Sequence, residues 1–329
     1  MMARQIALAR FGGPEVLEGR YVEDTSPGAG EVRIRHTAIG VNFTDVHGRR
    51  GDYANLHDLP RPLVLGIEAA GVVEAAGPAV THFRTGDRVV YASQPLGAYC
   101  DARNFPAQRC VALPDAISDA TAAAVFLKGL TVHMLVRRVY RVQPGDWVVF
   151  HSAAGGVGTL AGHWLRSLGA HAIGIVGSAD KVDIARANGY EAVFVRGRDD
   201  WPARVRELTG GAGVPVVYDP VGQATWEGSL ACLRPRGHLA CFGNSSGLAP
   251  PFSVNTLRDR GSLQLSWVRF GDYVATTAEL GIAARELFDA LASGALRPPP
   301  PHSLPLAQAA AAHRLLEGRN TTGALVMIP

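Results

Sequence analysis

Lysine is nearly missing from this chain: of its 32 basic residues only Lys128 and Lys181 are lysine, and arginine supplies the rest. Against that background the two exceptions stand out, because a compact ammonium on a flexible stem does not exchange freely with a planar guanidinium in a tight pocket. Blocks of like charge are missing too. A formal net charge of +3 spread over 329 residues implies no nucleic-acid partner and no anionic membrane surface. Cysteine is limited to Cys100, Cys110, Cys232 and Cys241, with no Cys-x-x-Cys pair and no cluster with histidine. That spacing excludes a zinc ribbon or a dithiol redox motif; a disulfide within either nearby pair stays open, and buried free thiols are the expected state. No uncharged apolar run reaches membrane-spanning length, and the start, from Met1 to Arg10, has no apolar core suited to a secretory signal. The expectation is a soluble cytoplasmic protein. His36, His47, His57 and His82 are irregularly spaced and read as ordinary surface or core histidines rather than as one ligand cluster.

What is present is apolar patterning. With 47% hydrophobic residues the chain can bury a large core and should form two domains. The stretch that organises it runs from Trp147 through Val-Val-Phe-His to Ser152-Ala153-Ala154-Gly155-Gly156-Val157-Gly158. A buried strand, a glycine turn and a helix in succession form the context of a dinucleotide fingerprint, here with Ala153 in place of the first glycine. Small residues let the backbone approach a pyrophosphate, and the helix start supplies free amides and a favourable dipole.

The next strand, Ala172 to Val176, ends in Gly177-Ser178 where an NAD-selective site would place an acidic residue for the ribose hydroxyls. An uncharged end leaves room for a phosphate on that ribose, and Lys181 and Arg196 could pair with it. The expected cofactor is therefore NADPH. Asp180, at a helix start, reads as a cap. Lys128 and Lys181 both fall at proposed cofactor positions, and Arg319 is a third candidate for the phosphate.

Before the fingerprint the chain reads as β-rich, with strands at Gln5–Ala9, Glu31–Ile39, Ala70–Ala75 and Arg88–Tyr91 between turn signals. An α/β unit then begins near Thr121, with strands at Trp147, Ala172, Ala192, Val214–Asp219 and His238–Phe242 alternating with helices, as in a doubly wound parallel sheet. After Ser262–Val268 the pattern stops. A helix (Glu279–Ala292), a proline run, another helix (Leu306–Glu317) and a last strand return to the first style. The domains are therefore expected at 1–125, 126–267 and 268–329, the nucleotide domain being inserted into a β-rich one built from both chain ends. Ser262–Val268 alternates as an edge strand, and an unpaired apolar edge is commonly covered.

Seven segments in this order resemble the medium-chain dehydrogenase/reductase superfamily: Phe11–Leu17, Gly40–Asp45, Gly97-Ala98-Tyr99, Phe126–Thr131, Ala153–Gly158, Tyr218–Gly222 and Phe242–Gly247. Within it the chain is most similar to the zinc-free, zeta-crystallin-like NADPH:quinone oxidoreductases. The resemblance implies a Rossmann domain inserted in a GroES-like catalytic domain, and a homodimer through the 262–268 strand. It implies that Asn42 and Phe43 lie near the nicotinamide, that Thr131 contacts the cofactor, that Ala154, Gly155, Gly156 and Val157 contact its pyrophosphate, and that Phe242, Gly243, Asn244 and Ser245 border the nicotinamide ribose. Asn42 and Tyr53 are expected to orient a quinone oxygen. Zinc-dependent members carry a cysteine and a Gly-His-Glu motif where this chain has Asn42 and Gly66-Ile67-Glu68, so no metal is expected and Glu68 reads as a structural or pocket carboxylate. His47 and Arg196 replace the tyrosines expected from the resemblance. Without a metal to polarise the acceptor, hydride transfer calls for an acceptor already electron-poor, such as a quinone. Reduction of an activated carbon–carbon double bond, and a crystallin or RNA-binding role with little turnover, are the alternatives.

Overall fold

The computed structural model describes residues 2–318 and 323–329. The chain divides into two compact units, one made of Met1–Leu127, Thr276–Phe288 and Pro298–Pro329, the other of Lys128–Ala275 and Asp289–Arg297. The sequence pattern puts the changeovers at 126 and 268. The helices Asp119–His133 and Thr277–Ala292 run through or beside them with no break in composition to mark the point.

In the first unit, among the described residues, a seven-stranded sheet runs His302–Pro305, Leu325–Ile328, Glu31–Val41, Glu68–Ala76, Arg88–Ala92 and Val111–Ala112, with Ala102–Pro106 paired to Glu31–Val41. A smaller sheet joins Glu18–Glu23, Met2–Leu8 and Leu63–Val64. Alternation places Val32 and Ile34 in a core with Val73, Val89, Tyr91, Phe105 and Met327. The chain's last strand lies antiparallel to its long early one, Leu325 opposite Val41 and Met327 opposite Ile39.

The second unit is a six-stranded sheet, every neighbouring pair parallel, in the order 192–195, 171–176, 147–151, 214–219, 233–241, 264–267. Strands such as Val214–Asp219 are buried along their whole length, as parallel strands covered on both faces must be. The strand order reverses between Trp147–His151 and Val214–Asp219. That reversal opens a crevice at the carboxyl ends of the strands, where doubly wound sheets hold their ligands.

By length and composition the helix from Asp119 to Val139 could cross a membrane, but 67% of its most apolar window is buried inside the protein, which is the state of a core helix. All four cysteines are free and buried. Burial pushes each of their thiols up to about 12, which leaves them protonated and inert.

Candidate active site

In the first unit the strand Glu31–Val41 ends at Asn42, which caps the helix Phe43–Arg50 in an extended conformation (φ −131°, ψ 156°). Its backbone N–H donates to Asp45 Oδ2 at 2.8 Å, a carboxylate reaching back from the first turn. Asn42 Nδ2 donates to Glu68 Oε2 at 2.7 Å, and Glu68 Oε1 accepts from the Leu127 backbone N–H at 2.6 Å. Glu68 has no exposed surface. A carboxylate can only accept here, so it settles the direction of the buried amide, nitrogen toward Glu68 and oxygen away.

Asp45 belongs to a longer buried chain. Tyr99 Oη donates to Asp45 Oδ2 at 3.1 Å and lies 2.9 Å from His313 Nε2, while Arg49 Nη1 lies 3.4 Å from His313 Nδ1. Arg49 also grips Glu317 through both terminal nitrogens, at 2.9 and 2.8 Å. Its guanidinium is 1% exposed, whereas the Glu317 carboxylate is 18% exposed and also pairs with Arg50. Burial, aided by the Arg49 charge, lowers His313 to about 3 and keeps it neutral. Nothing local signalled this chain, because Tyr99 and His313 are 214 positions apart.

Tyr53, three residues past the end of the helix Phe43–Arg50, completes a half-exposed aromatic group with two residues of that helix. His47 lies between Phe43 and Tyr53, with ring centroids 6.2 and 5.8 Å away. Tyr53 Oη is 3.3 Å from Thr44 Oγ1, and His47 Nδ1 is 2.7 Å from Asp52 Oδ2. Burial raises the Tyr53 phenol above its ordinary value, with the Asp45 and Asp52 charges acting in the same direction. The other histidines are engaged separately. His36 is buried between the Cys100 carbonyl and Tyr91 Oη, His57 bonds the Gly51 carbonyl, and His82 packs on Phe83. With the Asn42 amide nitrogen on Glu68 and Ile67 offering no donor, these residues do not fit a zinc ion. Among the described residues no group of three or more His, Cys, Asp or Glu could hold a metal.

In the second unit the strand Trp147–His151 turns through Ser152 (φ 56°) into the helix Gly156–Ser167, capped by Gly155. The first helical amides, at Gly156, Val157 and Gly158, have no partner within the helix, and the helix starts at the carboxyl end of the strand Trp147–His151. A Cβ on Gly158 would sit 2.7 Å from the Ala153 carbonyl and closer still to that of Ser152, so only glycine lets helix and strand approach this way. Lys128 lies over the turn, its Cδ and Cε 3.1 and 3.2 Å from where a Gly156 Cβ would be. Thr131 sits three residues on, along the same helix.

Past the second strand, the Arg196 guanidinium lies 4.0 Å from the Cβ position of Gly177, and its Nη1 is buried with no hydrogen-bond partner among the described residues. A desolvated, unpaired donor beside a small uncharged residue is suited to a phosphate. Asp180 is exposed, and a hydrogen bond from the Ser178 hydroxyl holds its carboxyl low. The N-cap of the turn is Ser178, with no side-chain cap hydrogen bond, so Asp180 is not the cap expected of it; it sits in the first turn and sets a negative charge there. Lys181 closes the short 3-10 turn Ala179–Lys181. Arg319 lies outside the described residues.

Two loops at the far side of the crevice interlock. Phe242 N–H donates to the Asp219 carbonyl at 3.0 Å, Ser245 N–H to the Pro220 carbonyl at 3.1 Å, and Ser246 Oγ to the Val221 carbonyl at 2.7 Å. Beneath them, Asp219 accepts from the backbone N–H groups of Val221 (2.7 Å) and Gly222 (3.1 Å) and from Ser229 Oγ (2.8 Å). His151 Nε2 lies 2.9 Å from the same hydroxyl. Because Ser229 donates to Asp219, His151 must be the Nε2–H tautomer, and burial lowers its pKa and keeps it neutral. The buried cross-brace therefore joins the ends of the two central strands, and the pairing of Phe150 with Phe242 (5.7 Å) adds to it.

A family model described as zinc-binding dehydrogenase matches residues 156–281, and one described as alcohol dehydrogenase GroES-like domain matches residues 28–115. A quinone oxidoreductase of Pseudomonas aeruginosa is 44% identical over 100% of both chains. A 2-haloacrylate reductase of a Burkholderia species is 41% identical, covering 100% of this chain and 99% of that one. The structure of an Escherichia coli quinone oxidoreductase complexed with NADPH superposes with a TM-score of 0.94 at 42% identity, covering 99% of this chain and 100% of the other.

Proposed function

This chain belongs to the quinone oxidoreductase family of the medium-chain dehydrogenase/reductase superfamily, and on that premise we propose that it is an NADPH-dependent reductase of small quinones. The observation that carries the reading is the fingerprint turn: free amides at Gly156–Gly158 and the unpaired Arg196 Nη1 fit a pyrophosphate and a ribose phosphate. When bound, NADPH supplies the hydride and the electrons. The chain's own work is binding and orientation. Ala154, Gly155, Gly156 and Val157 hold the pyrophosphate, with Lys128 over the turn and Thr131 on the same helix. Gly177, Ser178, Lys181 and Arg196 receive the ribose phosphate, with Arg319 as a further candidate. Phe242, Gly243, Asn244 and Ser245 border the nicotinamide ribose from a loop that the Asp219 brace keeps rigid. In the first unit Phe43 stands beside Asn42. Asn42, its amide directed by Glu68, and Tyr53, whose raised pKa keeps its phenol protonated, present polar groups to the quinone oxygen.

A homodimer follows from the edge strand Gln264–Trp267, which leaves one side of the sheet unpaired and Trp267 55% exposed. Four buried free thiols agree with a reducing compartment, and we place the protein in the cytoplasm. The 2-haloacrylate reductase at 41% identity supports a second reading, reduction of a carbon–carbon double bond activated by a carboxyl or carbonyl group. The deciding experiment follows NADPH and NADH oxidation at 340 nm by chelator-treated protein with a panel of quinones, enones and haloacrylates. Quinone turnover with NADPH supports the first reading. Turnover of the alkenes alone supports the second, and cofactor binding without turnover overturns both.

A further inference from the structure

A quinone that has accepted a hydride is a hydroquinone anion one proton short, and none of the groups assigned above is an acid matched to neutral pH. The phenol of Tyr53 is too weak an acid, the amide of Asn42 does not ionise, and Glu68 is occupied as an acceptor. The one group of suitable chemistry beside them is His47. It lies one helical turn beyond Phe43, so both project from the same face of the helix Phe43–Arg50. Its Nδ1 is engaged by Asp52 at 2.7 Å, and among the described residues its Nε2 has no hydrogen-bond partner. The ring stands between Phe43 and Tyr53 with its side chain 24% exposed.

The arrangement has the parts of an acid–base pair. A carboxylate on one ring nitrogen fixes the orientation of the ring, while the other nitrogen stays available beside an aromatic surface on which a flat ligand can stack. The Gly51-Asp52 turn is set for this purpose by the helix end. Gly51 adopts a left-handed conformation (φ 83°), and the Asp52 N–H returns to the His47 carbonyl at 3.0 Å, which places the Asp52 carboxylate at its own helix partner.

Resting on the quinone reading of the site, we propose that His47, held by Asp52, is the proton donor to the reduced quinone. The imidazolium Nε2–H bond breaks, an O–H bond forms on the hydroquinone oxygen, and the electron pair of the N–H bond stays on nitrogen. Neutral His47 then regains a proton from water at its exposed edge, so one proton is consumed per turnover and His47 is unchanged.

The test compares wild type with His47→Gln, Asp52→Asn and His47→Ala. In His47→Gln the expected result is a fall in kcat of about 100-fold with quinone KM within about threefold, since a positioned general acid contributes mainly to the transition state. Asp52→Asn should fall less, and imidazole added to His47→Ala should restore a concentration-dependent part of kcat, which a bracing role would not produce. A readout without turnover uses protein carrying ¹⁵N-histidine. Hydroquinone should shift one imidazole signal, and His47→Gln should lack that signal. Unchanged kcat in His47→Gln while wild type reduces quinones overturns the proposal and leaves the function standing. A fall in kcat with no imidazole rescue and no shifted signal also overturns it. Failure of wild type with every quinone removes the functional reading and the proposal together.

Discussion

Replacing Arg196 by Gln tests the choice of cofactor most directly. Its Nη1 is buried and, among the described residues, unpaired, and its Nη2 neighbours Gly177, so the desolvation of that one nitrogen is already built into the folded protein and a phosphate arriving there adds attraction with less further loss. Two opposite unit charges 4 Å apart near a protein surface interact by about 4 kcal/mol, and water and salt reduce the net value of a charged hydrogen bond to about 1.5–3 kcal/mol. Loss of that range corresponds to a 10- to 150-fold weaker Kd for NADPH at about 1.4 kcal/mol per tenfold. NADH carries no phosphate at that position and should bind Arg196→Gln as it binds wild type. The assay is equilibrium titration of both cofactors by protein fluorescence quenching at low and high salt. The wild-type preference for NADPH should shrink as added salt shortens the Debye length to a few ångströms. Asp180→Asn serves as a control of opposite sign: removing a negative charge near the same turn should tighten NADPH and leave NADH alone. Equal weakening of both cofactors in Arg196→Gln, or no weakening of either, refutes the phosphate-site argument.

Glu317→Gln leaves the buried Arg49 without its bidentate partner. Because Glu317 is partly exposed and shared with Arg50, the expected destabilisation is about 2 kcal/mol, below the range for a fully buried pair, read as a drop in Tm at pH 7. The hydrogen bond from Arg49 lowers the folded pKa of Glu317 below its ordinary 4.5. Its contribution is therefore complete above that value and disappears as pH falls through the lower folded pKa, so wild type and Glu317→Gln should converge in acid. Gly158→Ala forces a methyl against two backbone carbonyls and should lower stability by about 1–3 kcal/mol, with NADPH affinity falling as the helix moves off the strand. Trp267→Lys places a charge on the exposed sheet edge and should remove the proposed dimer: sedimentation velocity is expected to give a dimer for wild type and a monomer for Trp267→Lys at the same concentration.

The inserted nucleotide-binding sheet was legible in the sequence because its evidence is local. Apolar runs of four to six residues, each followed by a helix, leave few topologies other than the one observed, and the fingerprint fits within a dozen positions. The pairing of Arg196 with Gly177 was legible for the same reason, since both lie at the ends of adjacent strands. Boundaries shifted where turn chemistry overrode pattern: the strand expected at His238–Phe242 begins at Leu233 and bends through Arg236, a residue with positive φ. The supports of the proposed site residues were hidden. Asn42 is directed by a carboxylate 26 positions away, and Asp45 is held by a tyrosine 54 positions away. No periodicity links such partners, because each is a single polar group whose mate is chosen by the tertiary fold. His47 stands out in the sequence as a substitution, yet nothing in the pattern ties it to Asp52, only five residues on, since a pair spanning a helix end follows the turn rather than the helical repeat.

The strand Leu325–Ile328 has a consequence for synthesis. It lies between His302–Pro305 and Glu31–Val41, so the larger sheet of the first unit lacks an inner strand until Leu325–Ile328 has emerged. Lys128–Ala275, by contrast, contains every strand of the parallel sheet and can assemble while translation continues. Throughout that interval only the Ile39–Val41 end of the long strand waits without a partner on that edge, Glu31–Arg35 being paired already with Ala102–Pro106. A nascent chain stalled just short of Leu325 should therefore hold a protease-resistant nucleotide-binding unit beside a protease-sensitive amino-terminal segment, and the arrival of Leu325–Ile328 decides when the larger sheet closes.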